Sequence, residues 1–199
     1  MPDPNPHARA VELWEQGCAL QMRRRLDDAI ECYRQSIEVC PTGEAHTFLG
    51  WALSWRGDVD AAITECERAI GVDPDFGNPY NDIGAYLIEL GRLDEAIPWL
   101  ERAKAAKRYD PRHFPHLNLG RIYAAQGKPT RAIAEFERAA ELRPDDPTAA
   151  QMLCKLRQLN SGWSSHRAGR MVGPARDGAP WRPALTPRAG PARAGRARR

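Results

Sequence analysis

A chain of 199 residues has room for one or two domains, and its formal charge of +3 hides an uneven distribution. Nine arginines against one acid make residues 161–199 basic by +8, which leaves the remainder at −5. That acidic remainder lacks the electrostatic footprint of a folded nucleic-acid-binding domain.

Residues 1–8 carry three prolines and are expected to be disordered. A first helix is expected from about Ala8 or Arg9, presenting Val11, Leu13, Trp14, Gly17 and Leu20 at helical spacing. Its partner runs over 26–39. Further pairs follow at 43–56 and 59–72, at 77–90 and 93–108, and at 112–126 and 129–142. The last pair is the clearest. Leu119, Ile122 and Tyr123 recur on one face, Gln126-Gly127-Lys128-Pro129 break the pattern, and Ala132, Ile133, Phe136, Ala139 and Ala140 resume it before Pro144 and Pro147. A ninth helix is expected over 146–160, with Asp146 as N-cap, Pro147 at the first position, and Ala149, Met152, Leu153, Leu156 and Leu159 on one stripe. Beyond Asn160, alanine, glycine, proline and arginine dominate. Residues 161–199 are therefore expected to be a disordered basic tail.

The pairs are copies of one unit. Its first-helix glycine returns as Gly17, Gly50, Gly84 and Gly120, and its second-helix alanine as Ala29, Ala62, Ala96 and Ala132. Both series step by 33, 34 and 36 residues. A loop glycine follows as Gly57, Gly91 and Gly127, with Arg24 in its place in the first copy. The bulkier residue of the second helix is Tyr33, Cys66, Leu100 and Phe136, and the closing proline is Pro41, Pro74, Pro111 and Pro144. The third copy carries three extra residues before Pro111, expected to lengthen its second helix by most of a turn.

A period near 34 with Leu49-Gly50, Leu119-Gly120-x2-Tyr123, Ala29-x3-Tyr33 and Ala132-x3-Phe136 resembles the tetratricopeptide repeat family. The tryptophan that opens the family motif is Leu13, His46, Tyr80 and His116 here, and Cys66 is small for its slot. The resemblance implies an all-α, right-handed α-solenoid over 9–160. It comprises four repeats (about 10–42, 43–76, 77–111 and 112–145) and a capping helix that closes the fourth, as solenoids require. It also implies a concave surface, lined by first helices, that binds extended or helical peptides. In register, that surface presents Trp14, Cys18 and Gln21, then Thr47, Trp51 and Ser54, then Asn81, Ala85 and Ile88, then Leu117 and Arg121. Trp51 is expected to supply a ring contact worth ~2 kcal/mol or more to a ligand, with Arg121 pairing a ligand carboxylate. Relatives that clamp the carboxylate tail of heat-shock chaperones use lysine, asparagine and arginine at such slots. The aromatic residues and Cys18 of the first repeats argue against that ligand.

Catalytic patterns do not emerge. His113 and His116 form H-x-x-H, but Pro115 between them marks a helix start and no third ligand completes a metal set. Cys32 and Cys66 read as small core residues, and Cys18 has no basic neighbour to activate it. Neither a nucleophile elbow nor a phosphate loop is present, so no enzyme activity, metal or cofactor is expected. Glu31–Arg34, Glu65–Arg68, Glu101–Lys104 and Glu135–Arg138 read as surface pairs on the convex side. Five cysteines without a C-x-x-C pair fit reduced thiols and a cytoplasmic protein. Neither a secretory signal nor a membrane span is expected. The favoured function is a non-enzymatic scaffold that binds a protein or peptide ligand. The alternatives are contact with nucleic acid or an anionic membrane through tail 161–199, and self-association as a homodimer through the uncapped N-terminal repeat.

Overall fold

The computed structural model describes residues 5–163, with side chains through Gln158. Among these residues the chain forms nine α-helices: α1 (Pro6–Met22), α2 (Leu26–Val39), α3 (Gly43–Arg56), α4 (Val59–Val72), α5 (Asn78–Glu89), α6 (Leu93–Ala105), α7 (His113–Ala125), α8 (Pro129–Leu142) and α9 (Pro147–Trp163). No strand occurs among them, and the architecture is an all-α repeat solenoid. Helices α2, α3, α4 and α8 begin and end where the sequence pattern places them. The first helix starts earlier than expected. Asn5 accepts a hydrogen bond from the Ala8 amide at 3.1 Å, and Pro6 takes the first helical position, where its missing donor costs nothing. Residues 6–8 are thus helical rather than disordered. Residues 1–4 and 164–199, which hold most of the expected basic tail, lie outside the described residues.

Within each repeat the two helices cross where a small residue meets a bulky one. Ala29, Ala62, Ala96 and Ala132 are all fully buried. A Cβ built on Gly17 would stand 2.5 Å from the Tyr33 ring, on Gly84 2.5 Å from Leu100, and on Gly120 2.6 Å from the Phe136 ring. The second repeat differs. With Cys66 opposite it, a Cβ on Gly50 would meet the Ala62 carbonyl at 3.1 Å and the Cys66 sulfur at 3.4 Å. Where the loop glycines Gly57, Gly91 and Gly127 turn each chain reversal at positive φ, the first repeat forces Arg24 to φ 63°. Its guanidinium lies over the Trp55 ring, 5.1 Å from the centroid.

The third repeat corrects one expectation. Its extra residues do not extend α6, which at 13 residues is one shorter than α2, α4 and α8. They form a strap, residues 106–112, that folds back onto the α4–α5 loop. Gly77 donates its amide to the Arg108 carbonyl at 3.0 Å, and Arg108 donates its own to Asp75 at 2.9 Å. Tyr109, 3% exposed, fills the space that a side chain at Gly77 would occupy. The helix stops at Ala105, where Arg112 caps it by donating to the carbonyl of Lys104 in the last turn and to those of Ala106 and Lys107 just beyond. At the other end of the solenoid, Asp146 accepts from the Thr148 amide at 2.9 Å and starts α9. Ala149 and Leu153 then close a cluster with Leu117, Ala132, Phe136 and Ala139, covering the open end of the fourth repeat.

Candidate functional site

The eight residues expected to line a groove lie on the first helices α1, α3, α5 and α7, and the structure places them at different depths. Trp14 and Cys18 on α1 are half-buried, as is Arg121 on α7. Thr47, Trp51, Asn81, Ala85 and Leu117 are buried. Trp51 is only 8% exposed and therefore belongs to the packed floor rather than to an open ring contact. Gln21 is buried too, accepting a hydrogen bond from the Tyr33 hydroxyl at 2.7 Å, while Ser54 and Ile88 are half-buried. The physical reason is the close approach of neighbouring first helices. Thr47 turns its hydroxyl back to the Gly43 carbonyl at 2.7 Å and so needs no solvent, and Ala85 has no side chain long enough to leave the interface.

Polar groups tie this floor together. The Trp51 indole Nε1 donates to Asp82 Oδ2, Asn81 Nδ2 donates to Asp82 Oδ1 at 3.5 Å, and Asn118 Nδ2 donates to Asn81 Oδ1 at 3.1 Å. A ladder thus runs from α3 through α5 to α7. Asp82 is 3% exposed, and burial pushes its carboxyl up to about 7 against the opposing pull of the Trp51 and Asn81 hydrogen bonds. Sequence reasoning missed Asp82 and Asn118. The visible signal was that Asp82 and Asn118, both short polar residues, occupy equivalent slots of the third and fourth repeats.

Above the floor the N-terminal end is aromatic. Phe48 stacks edge-on against Trp14 (ring centroids 5.1 Å, planes at 83°) and lies 4.5 Å from the Trp51 ring. The Trp14 Nε1 donor is buried with no acceptor. The Cys18 thiol is pushed up to about 11 by burial, which makes it inert as a nucleophile. At the other end Arg121 carries a guanidinium whose affinity for its proton burial lowers and the charge of Asp146 partly restores. Its side chain has neither a hydrogen bond nor an ion pair, whereas most other arginines of the described chain have one.

Two glutamates assigned to the convex surface turn inward instead. His46 Nδ1 and Glu65 Oε2 are 2.7 Å apart, and His116 Nδ1 and Glu135 Oε2 are 2.6 Å apart. Both pairs fill the slot of the motif's absent tryptophan, with histidine and glutamate 19 residues apart in each. Glu135 also meets Lys104 of the preceding repeat at 3.3 Å, leaving Arg138 to pair with Glu141. The expected pairs Glu65–Arg68 and Glu101–Lys104 do form. His113 stands 3.6 Å from Asp146, and among the described residues no group of three or more His, Cys, Asp or Glu gathers as a metal site. Cys66 is fully buried, but Cys32 is only half-buried. Among the described residues no helix is long and apolar enough to cross a membrane.

Tetratricopeptide repeat profiles match residues 15–79 and 75–145. The type IV pilus assembly protein PilF of Pseudomonas aeruginosa is 26% identical over 141 residues, covering 70% of this chain and 56% of that protein. The small glutamine-rich tetratricopeptide repeat-containing protein 2 of Mycosarcoma maydis is 32% identical over 91 residues, 45% of this chain and 26% of its own length. The chain thus spans between about a quarter and just over half of the curated relatives it matches. Among solved structures, Pseudomonas aeruginosa PilF superposes with a TM-score of 0.74 at 22% identity, covering 80% of this chain and 72% of that one. YrrB, described as a tetratricopeptide repeat protein with an unusual peptide-binding site, superposes at 0.58 with 18% identity over 71% of this chain and 73% of its own. Four co-registered helix pairs, the glycine and alanine crossings inside them and the capping helix beyond them carry the same conclusion: the chain belongs to the tetratricopeptide repeat family, whose solenoids are protein-interaction scaffolds.

Proposed function

We propose that the chain is a non-catalytic adaptor whose inner face docks a segment of another protein, with Arg121 receiving a carboxylate of that segment. The observation that carries this reading is the half-buried guanidinium of Arg121 without a partner. A partly desolvated charge without a hydrogen bond or ion pair, offset only in part by the charge of Asp146, is unfavourable in the free protein, and an incoming carboxylate in bidentate contact removes that penalty. The half-buried rings of Trp14 and Phe48 offer the apolar contact that Trp51, sunk in the floor, does not. Support from relatives is of the same kind: PilF is an assembly protein and YrrB is described with a peptide-binding site. A cytoplasmic location belongs to the same proposal, supported by five free cysteines.

The test uses peptides selected from a random phage-displayed library on the full chain, their affinities then measured by calorimetry. Arg121→Gln is expected to weaken the selected acidic peptides by about tenfold at low salt and less at high salt. Its melting temperature should hold or rise, because the variant loses an unpaired charge. Equal affinity for wild type and Arg121→Gln would remove Arg121 from the site. Failure to select any peptide would remove the groove itself.

A further inference from the structure

Beneath the rim of the inner face, the Asp82 carboxyl is buried with no cation beside it. The groups that surround it come from α3, α4, α5, α7 and the strap, while α6, also packed on α5, turns its Arg102 to the Tyr80 and Trp99 rings rather than to this carboxyl. From α3 comes the Trp51 indole, and from α7 Asn118, acting through Asn81; neither titrates. Cys66 approaches from α4, with Glu65 and Glu67 beyond it, Tyr86 stands one turn further along α5 with Glu89 beyond, and Tyr109 comes from the strap. Burial and the Asp82 charge hold Cys66, Tyr86 and Tyr109 neutral well past their ordinary ranges, so none of them adds a second negative charge, and a thiol or phenol has no positive one to offer. The Tyr109 hydroxyl, buried and without a hydrogen-bond partner, adds a further polar group to this interior.

The Trp51 and Asn81 donors favour the charged form, but with no cation beside the carboxyl, burial outweighs them and favours the protonated one. We propose that Asp82 is a pH-sensitive lock under the groove: protonated, it completes a neutral ladder joining α3, α5 and α7, and ionised, it leaves a buried anion that loosens that joint. As regulation of ligand docking the lock rests on the groove reading, but as a property of the fold it does not. The direction follows from linkage. Burial raises the folded-state value from 3.8 to about 7, so between these values the folded chain keeps a proton that the unfolded chain releases. The stability Asp82 contributes is therefore full below the ordinary aspartate range and is lost as pH rises through neutrality.

The experiment follows the indole N–H resonance of Trp51 by nuclear magnetic resonance in the full chain, assigned by its loss in Trp51→Phe, from about pH 3 to about pH 9. The indole is read because the chain carries five histidines, whose ordinary range overlaps this window and would blur a global measurement. A sigmoidal shift with a midpoint near neutrality is expected, absent in Asp82→Asn. Amide-exchange protection in α3 and α5 should fall by about tenfold across the same midpoint in the wild type only. A Trp51 resonance that stays flat, or one whose midpoint lies in the ordinary aspartate range, overturns the proposal. Should Asp82→Asn not fold, the carboxyl carbon resonance of Asp82 in the wild type reports the same midpoint and decides. Either negative result leaves peptide binding at a fixed pH untouched, and a library that yields no peptide leaves the titration standing.

Discussion

The second and fourth repeats set the same His–Glu pair at the same crossing, yet fill the rest of that crossing differently. In the fourth, the Phe136 ring covers Gly120 and joins the cluster that α9 closes. In the second, Cys66 leaves so little bulk that Gly50 rests against the Ala62 backbone. The polar part of the crossing is therefore independent of the apolar part. A repeat tolerates a small plug if the helices approach more closely, and it tolerates the missing motif tryptophan if two polar side chains satisfy each other in its place. The other two repeats solve the tryptophan slot without a histidine–glutamate pair. The third stacks Tyr80 and Trp99 (6.2 Å between centroids) with Arg102 over both rings, and the first holds Leu13 with Cys32 in the equivalent positions.

The widest separation between the two repeats is expected from deleting the plugs. Phe136→Ala should cost ~3–5 kcal/mol and detach α9, while Cys66→Ala should cost about 1 kcal/mol. Urea titrations followed by circular dichroism check this, and similar losses for both would mean that the second crossing is as dependent on its plug as the fourth. Next comes the polar part. Glu65→Ala should cost ~1–3 kcal/mol because it strands the buried His46. Replacing both, His46→Leu with Glu65→Cys, installs the pair of the first repeat and should return to within ~1 kcal/mol of wild type. A double variant as unstable as the sum of its parts would show that the pair has a role beyond mutual satisfaction. Smallest is the glycine effect. Gly120→Ala should lose ~1–2 kcal/mol against the Phe136 ring, whereas Gly50→Ala should come close to neutral, its steric cost offset by ~1 kcal/mol of helix propensity. Melting curves of the two variants, run side by side, measure the contrast.

The fold was legible because glycine and alanine mark the crossings, and their common stride survives even where the larger residues vary. The strap was not. The run Arg102-Ala103-Lys104-Ala105-Ala106-Lys107 reads as helix by propensity, and only the buried Tyr109 under Gly77 and the Arg112 cap explain why the helix ends at Ala105. For the inner face, periodicity fixed which side of each first helix turns inward but carried no information on how near the next first helix would come. Trp51 and Thr47, expected at an open surface, are therefore found buried. His46 and Glu65 share the separation of His116 and Glu135, a pattern present in the chain, but it becomes an interaction only once the helices fold together.

The strap also bears on how the solenoid comes apart. Stacked repeats ordinarily communicate only with their immediate neighbours, so ends fray one unit at a time. Arg108, at the end of the third repeat, reaches Asp73 and Glu44 of the second and stacks on Phe76, 4.2 Å from its ring centroid, while Lys107 meets Asp75. The strap's backbone is bridged to the same loop. This latch reaches back across one junction, fastening the end of the third repeat to the second, so the two should melt as one cooperative block. Stretched from its ends, the chain should release α1 and α2 in small steps and then surrender its middle in a single larger one.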